Sequence, residues 1–179
     1  MFWNACKSNT NYSCCTRCAA QATGQLISYD MATLTFEVFS RFQSATDANK
    51  LLYTPIADQL TYNHTRLYTV ECEGDEAAAR DYMRRVLVDP ISQKVEEGGA
   101  PALDGELFCI SYGIKKGALD LEKEAILTNY AGRKGLPFTI SSLTITQKVY
   151  IFGQGDREAL AARFCNDVCN PAIHTWSVK

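Results

Sequence analysis

Apolar and polar positions along this chain follow two kinds of pattern, one with a period of two and one with a period near 3.6. The stretch LTFEVFSRF, which begins at Leu34, alternates roughly and is rich in β-branched and aromatic residues, so it is predicted to be a strand. Beyond it, the apolar residues between Leu51 and Leu60 have helical spacing and follow Asp47. Since aspartate is favoured at a helix N-cap, a helix is predicted from Asp47 through Leu60.

The next segment repeats the two patterns in a clearer form. TRLYTVECE, from Thr65, is predicted to be a strand, and Gly74 and Asp75 supply a turn and a helix cap. The helix that follows has one apolar face, formed by Ala79, Met83, Val86 and Leu87. Pro90 comes just after it, where a helix cannot easily continue, and ISQKVE is predicted to be a closing strand.

The series then starts again after a linker at residues 97–106, which holds three glycines and a proline. LFCISYGI is predicted to be a strand, Gly117 a turn and Asp120 the cap of a helix. FTISSLTITQKVYIFG predicts one or two further strands. A last helix is capped by Asp156 and stopped by Pro171, and IHTWSV closes the series.

Matching residues fall at turns, caps and strand centres of the two series. They are Leu34 with Leu107, Ala45 with Ala118, Asp47 with Asp120, Tyr68 with Tyr150, Gly74–Asp75 with Gly155–Asp156, and Asp89–Pro90 with Asn170–Pro171. Because the whole order of elements recurs, the chain is predicted to contain an internal repeat. We therefore expect an α+β fold of two tandem repeats, each strand–helix–strand(s)–helix–strand, packed about a pseudo-twofold axis as an internal dimer.

The domain boundaries follow from this repeat. The first repeat is expected at residues 34–96, the linker at 97–106 and the second repeat at 107–179. Residues 1–33 show no apolar period and contain no acidic residue before Asp30, so we expect a poorly ordered extension. A weaker alternative for this segment is an organelle-targeting leader.

Eight cysteines raise the question of a metal site or disulfides. Half of them lie in the extension, among them Cys15 and Cys18, whose spacing is typical of zinc ligands, but no second pair of this kind follows. Cys165 and Cys169 are four residues apart on a predicted helix, which favours burial in an apolar core. We expect no metal site and, because no secretory signal is visible, reduced thiols in the cytoplasm.

Charge and hydropathy argue against two classes of partner. The formal net charge is -2 and the basic residues occur in isolated pairs, whereas a nucleic-acid binder normally shows a basic face. No apolar run is long enough to span a bilayer. We therefore expect neither nucleic acid nor membrane as a partner.

The sequence shows no catalytic constellation. The stretch GQGD at Gly153–Asp156 lies between a strand and a helix, as a phosphate-binding loop would. However, Glu158 takes the place of the third glycine, and its charge and that of Asp156 would repel a phosphate. His64 and His174 do not lie near a Ser or Cys with supporting spacing. We therefore expect no catalytic, cofactor-binding or metal-binding residue, and no enzyme activity from this chain alone.

Three motifs of the second repeat occur in an order that is familiar from one enzyme family. They are KKGALD at Lys115–Asp120, QKVYIFG at Gln147–Gly153 and NPAIHTWSV at Asn170–Val178. In this order they resemble the small PurS-type module of phosphoribosylformylglycinamidine synthase, an enzyme of purine biosynthesis. That family shows a Lys-x-Gly-Val-x-Asp turn, a Lys-x-Tyr-like element and an Asn-Pro-x-Ile-like step at these places. The first repeat resembles the family less closely, with Ser44 where a Gly is expected.

The resemblance covers about residues 34–179 and implies a non-catalytic component of an ATP-dependent amide-nitrogen ligase. Such modules bridge an ATP-binding synthase part and a glutaminase part and support ammonia transfer between them, so these two are the implied partners. ATP and Mg would belong to the ATP-binding part and not to this chain. Alone, the chain is expected to be a monomeric pseudo-dimer. The alternative is a regulatory module that binds a small molecule in a cleft between the two repeats.

Overall fold

The computed structural model describes residues 31–42, 46–56, 59–99 and 101–179. Within them the chain forms a seven-stranded antiparallel sheet and three α-helices, the mixed α+β class that the sequence predicts. The expectations for residues 1–30, including the spacing of Cys15 and Cys18, and for Ser44 and Ala45 lie outside the described residues. None of the helices described is both long and apolar enough to cross a membrane.

The strands and helices have the following bounds. The strands are β1 (Ala32–Ser40), β2 (Thr46–Asp47), β3 (Thr61–Gly74), β4 (Gln93–Glu97), β5 (Phe108–Ile114), β6 (Phe138–Phe152) and β7 (His174–Val178). The helices are a short 3₁₀ helix (Ala48–Leu51), α1 (Glu76–Leu87), α2 (Leu121–Ala131) and α3 (Arg157–Val168). β1 therefore begins inside the predicted extension of residues 1–33 instead of after it, and the stretch predicted as one or two strands is the single strand β6.

The helix predicted over residues 47–60 is wrong beyond its first turn. Only Ala48–Leu51 is helical, and it is a 3₁₀ helix. Pro55 has no backbone N–H and disfavours a helical conformation of the residue before it. The side-chain oxygen of Asn49 accepts a hydrogen bond from the N–H of Ile56 at 2.7 Å, which closes a loop in place of the helix. Two leucines of the segment are nonetheless buried, so its apolar spacing reflects core contacts made from this loop.

Each helix begins after an aspartate that the sequence marks as its cap. In each case a carboxylate oxygen accepts a hydrogen bond from the backbone N–H two or three residues later, and these caps are Asp47, Asp75, Asp120 and Asp156. Gly155 directly precedes the last of them. Gly117, in the turn before α2, has a φ of 94°, a conformation that glycine adopts without strain.

The turns after α1 and α3 have the same hydrogen bonds. The side chains of Asp89 and Asn170 each accept a bond from the N–H two residues later, at 2.9 Å in both turns. Their carbonyl oxygens accept bonds from the N–H four residues later, at 2.9 and 2.8 Å. Pro90 and Pro171 follow them, and proline suits a turn in which its missing N–H is not needed. Each turn leads directly into an edge strand, β4 or β7.

The sheet has the strand order β4-β1-β3-β6-β5-β7, and β2 pairs with β3. Side chains that are paired across neighbouring strands lie on one face, and the registers connect Phe36 with Tyr68 and Tyr68 with Ile145. They also connect Ile151 with Phe108. Since residues 145 and 151 are in phase along β6, the buried side chains that meet the three helices all lie on one face of the sheet.

Two apolar cores lie on that face. Core one is built from β1, β3, the start of β6 and α1, and core two from β5, the end of β6 and α3. Ile126 of α2 packs in core one, although α2 follows β5 in the chain. Ala48 of the 3₁₀ helix packs in core two with Leu52 and Leu60, although this segment follows β1. The segments after β1 and β5 therefore cross over, and each covers the core to which the other strand belongs.

Candidate functional site

A cleft of about 510 Å³ opens above the central strands, on the face that carries the helices. Arg66 of β3 and Gln147 of β6 are direct cross-strand partners in its floor. Tyr112 of β5 and His174 of β7 line one side, and the loop before α2 forms another wall. The cleft therefore collects side chains from four strands and one loop.

An ion pair fixes the beginning of α2 to the floor of the cleft. Arg66 Nη1 lies 3.3 Å from Oε1 of Glu122, which is in the first turn of α2. The same carboxylate oxygen accepts a hydrogen bond from the Tyr68 hydroxyl at 2.5 Å. Burial acts to lower the pKa of Arg66, but the charge of Glu122 and hydrogen bonding outweigh it, so this pKa is raised above its usual range. Arg66 is thus a permanent cation with one carboxylate already bound.

His64 and Gln147 give the floor a neutral, polar centre. Burial lowers the pKa of His64, and the Arg66 cation lowers it further, whereas the contact with the Gln147 amide acts in the opposite direction. The imidazole is therefore neutral near pH 7. Oε1 of Gln147 is buried and accepts no hydrogen bond of good geometry. Such an oxygen is an acceptor that a ligand or a water could satisfy.

Aromatic and apolar groups complete the cleft. The rings of Tyr112 and His174 are 5.0 Å apart, centre to centre, at an angle of 45°, and burial raises the pKa of Tyr112. Leu119 and Leu121 at the mouth are 70% and 73% exposed. The described residues that line the cleft include no Ser, Thr or Cys side chain. The arrangement supports binding through hydrogen bonds and apolar contacts.

The hydrogen bond from Tyr68 to Glu122 is expected to fail in alkaline solution. Burial, followed by the hydrogen bond and the charge of Glu122, raises the pKa of Tyr68 to about 12. Since this is above the ordinary value near 10, the unfolded chain releases its proton first. The stabilisation is therefore complete below about pH 10 and is lost as the pH rises to about 12. Urea unfolding at several pH values measures this, and a Tyr68→Phe variant should lose less stability over that interval. Equal losses in the two proteins would contradict the assignment.

A second cluster of polar side chains is buried on the opposite face of the sheet. Glu37 of β1 is 2% exposed, and its Oε1 accepts hydrogen bonds from the hydroxyls of Thr65 at 2.6 Å and Tyr150 at 2.5 Å. Lys148 Nζ lies 2.7 Å from Oε2 of Glu37 and 2.9 Å from the Tyr150 oxygen. The cluster joins strands β1, β3 and β6, and both oxygens of the carboxylate have partners.

The linker between β4 and β5 reaches this face from both of its ends. Gly99 lies against the side chain of Thr35, and the charge of Glu106 acts on Tyr150 and Cys109. Burial and the hydrogen bond to Glu37 raise the pKa of Tyr150 well above its usual range. Burial with complete hydrogen bonding fits a structural role for the cluster.

The positions marked by the sequence and the residues of the cleft overlap little. Of the ten predicted turn and cap positions, only Asp120 lines the cleft. His64 and His174, which the sequence treats separately, line the same cleft. Sequence reasoning missed the buried polar cluster, and the signal that could have found it is the charged Glu37 in the middle of an apolar strand.

The cysteines of the described residues are buried free thiols. The predicted burial of Cys165 and Cys169 is confirmed, since both pack in core two, and burial is the main cause that raises the pKa of Cys169 to about 11. Across the ranges that the structure describes, no group of three or more His, Cys, Asp or Glu side chains is placed to hold a metal ion.

Comparison of the chain with protein-family models, with curated proteins and with solved structures finds no match. The function is therefore inferred from the pattern of the sequence and from the geometry of the fold.

Proposed function

We propose that the chain is a non-catalytic assembly module made of two repeats, residues 34–96 and 107–179, related by a pseudo-twofold axis through the centre of the sheet. The observation that carries the proposal is one spacing between equivalent elements. α3 begins 81 residues after α1 (157 against 76), and each has 12 residues. β7 begins 81 residues after β4 (174 against 93), and each has five. The two proline turns, with their matching hydrogen bonds, keep the same interval.

The strand registers support the same relation. Counted inward from either edge, the sheet gives the third, the first and the second long strand of one proposed repeat. A shift of 81 residues, as between α1 and α3, carries Arg66 onto Gln147, which is its own cross-strand partner. A twofold axis through this pair would require that coincidence. The cleft lies above the same pair.

The sequence matches at the strand centres shift by one residue in this alignment. Val149 replaces Tyr150 as the equivalent of Tyr68, and Phe108 replaces Leu107 as the equivalent of Leu34. The matches at Gly74–Asp75 and at the proline turns do not shift. The proposed repeats differ most in their first helix, which is a single 3₁₀ turn in the first repeat and α2 in the second.

We infer further, from the resemblance of KKGALD, QKVYIFG and NPAIHTWSV, that the module serves phosphoribosylformylglycinamidine synthase in the cytoplasm. It would bridge the ATP-binding synthase and the glutaminase for ammonia transfer, and ATP and Mg would stay with the ATP-binding partner. The cleft supports a binding role, because its described lining offers no nucleophile. Trp176 and Val178 on the edge strand β7 are 42% and 40% exposed, and exposed apolar side chains at an edge suit a protein partner.

The test is reconstitution with the synthase and glutaminase polypeptides of the organism that encodes this chain. The chain is expected to form a complex with them and to raise glutamine-dependent amidation by about tenfold or more, as an order-of-magnitude effect of holding two sites together. Amidation from added ammonium salt is expected to stay unchanged, because that reaction needs no transfer from the glutaminase.

The chain alone provides the control. It is expected to behave as a 19.9 kDa monomer in size-exclusion chromatography with light scattering, and to hydrolyse neither ATP nor glutamine. The proposal fails if glutamine-dependent amidation does not respond to the chain. It also fails if the chain alone turns over either compound and loses that activity when one residue is changed.

A regulatory module that binds a small molecule is the second candidate. The observation that favours it is the cleft, whose floor holds the unsatisfied oxygen of Gln147. A stable homodimer that binds neither synthase component would favour this candidate over the first.

A further inference from the structure

A groove of about 810 Å³ runs between the second half of α1 and the edge strand β4. Val88, Pro90 and Val95 give it an apolar floor. Its charged lining consists of four basic and two acidic side chains, which are Arg41, Arg84, Arg85, Lys94, Asp81 and Glu96. The groove is therefore basic on a chain whose formal net charge is -2.

The outer edge of β4 has backbone groups available for another strand. Among the described strands, β4 pairs only with β1. The backbone hydrogen bonds of Ser92 and Gly98 are directed at β1. Because the bonding direction alternates along an antiparallel strand, the N–H and C=O groups of Val95 and Glu97 point away from β1.

Two of the arginines have guanidinium donors left for a ligand. Arg85 Nε donates to the backbone carbonyl of Asp81 at 3.1 Å, and Arg41 Nε donates to that of Gln93 at 2.8 Å. Neither forms an ion pair with a carboxylate of the described residues. Arg84 differs, since its Nε lies 2.8 Å from a carboxylate oxygen. A carboxylate brought into the groove would therefore meet Arg41 and Arg85 without displacing an existing ion pair.

The opposite edge of the sheet provides an internal comparison. Under the proposed relation between the repeats, the groove's basic residues have uncharged equivalents: Cys165 for Arg84, Asn166 for Arg85 and Thr175 for Lys94. Trp176 takes the place of Val95. Since the same position in the fold is basic at one edge only, the fold itself does not require these charges.

We propose that the groove binds an extended acidic segment of a partner protein, which adds a strand to the outer edge of β4. The backbone of the segment pairs with Val95 and Glu97, and its acidic side chains, spaced two residues apart, meet Arg41 and Arg85. The proposal deepens the assembly function, because it names the chemistry of a partner, but its test needs neither synthase nor glutaminase.

The probe is a short capped peptide of alternating Glu and Val, titrated into the full chain and followed by calorimetry and backbone amide NMR. Saturable binding is expected, with shifts concentrated at β4, and the peptide with Lys in place of Glu is expected not to bind. Arg41→Gln combined with Arg85→Gln is expected to weaken binding about tenfold. Val95→Pro removes an outward N–H, a change that an edge strand tolerates, and should abolish binding. Val178→Pro, on the β7 edge, is the matched control and should leave binding unchanged.

A peptide N-methylated at alternate residues tests the same backbone bonds without altering the chain, so the result does not depend on the folding of a variant. The proposal is overturned by equal binding of the Glu and Lys peptides, by binding that survives N-methylation, or by no saturable binding up to about 1 mM. Peptide binding in a chain that fails in the reconstitution would keep the acidic partner and exclude the synthase. Reconstitution without peptide binding would do the reverse.

Discussion

Replacing Glu37 with alanine is expected to lower the free energy of unfolding by about 3–5 kcal/mol. The residue is 2% exposed, and Lys148 Nζ lies 2.7 Å from its carboxylate, so the substitution leaves an ammonium group buried without a counter-charge. The hydroxyls of Thr65 and Tyr150 lose their acceptor at the same time. Urea unfolding followed by circular dichroism measures the loss.

Glu96→Ala is the matched control for this experiment. Glu96 is the cross-strand neighbour of Glu37 but is exposed, so its removal is expected to change stability by no more than about 0.5 kcal/mol. Glu37→Leu combined with Lys148→Met removes both charges together and is expected to recover most of the loss. A loss for Glu37→Ala no larger than that of the control would show that the ion pair contributes nothing as a buried pair.

Gly74→Ala is expected to destabilise the protein by about 2–4 kcal/mol, combining backbone strain with overpacking. The φ of Gly74 is 106°, which a residue with a side chain adopts at a cost. An added Cβ would also lie 2.6 Å from the carbonyl oxygen of Pro137 and 2.9 Å from the Cα of Phe138. Both are backbone atoms at the point where β3 meets β6, so they cannot move aside without disturbing the central strand pair. Thermal or urea unfolding measures the effect.

Gly117→Ala separates the two causes. Gly117 has a φ of 94°, but an added Cβ would meet nothing within 4 Å. This variant is expected to show only the backbone cost, about 1–2 kcal/mol. If both variants lose the same stability, the close approach of Pro137 to Gly74 does not exist in solution.

The parts of the fold that could be predicted from the sequence are those with local causes. α1 and α3 each follow an aspartate that caps them and precede a proline turn, and all of these signals lie within a few residues of the element they control. The helix over residues 47–60 failed because apolar spacing alone does not distinguish a helix from a loop that sends single leucines into a core. Pro55 and the hydrogen bond from Ile56 to Asn49 decide for the loop.

The cleft and the buried polar cluster could not be predicted, because their residues meet only through the sheet. Arg66 and Gln147 are neighbours because β3 pairs with β6 in one particular register. The alternation of β1 indicates that Glu37 and Phe36 lie on opposite faces, but not that both faces are buried at that point. That depends on how neighbouring strands and the linker meet there, which involves contacts between residues far apart in sequence.

The crossing of the segments after β1 and β5 affects how the protein is made. When synthesis has reached Glu97, core one still lacks Ile126, and Leu52 and Leu60 have no core to enter. β3, a strand of 14 residues, then has one long edge without its partner β6, and such an edge invites pairing with other chains. Each core needs a segment from the other half of the chain, so neither closes until β6 has left the ribosome. For the same reason the finished protein is expected to unfold in one cooperative transition, since opening either core uncovers the other.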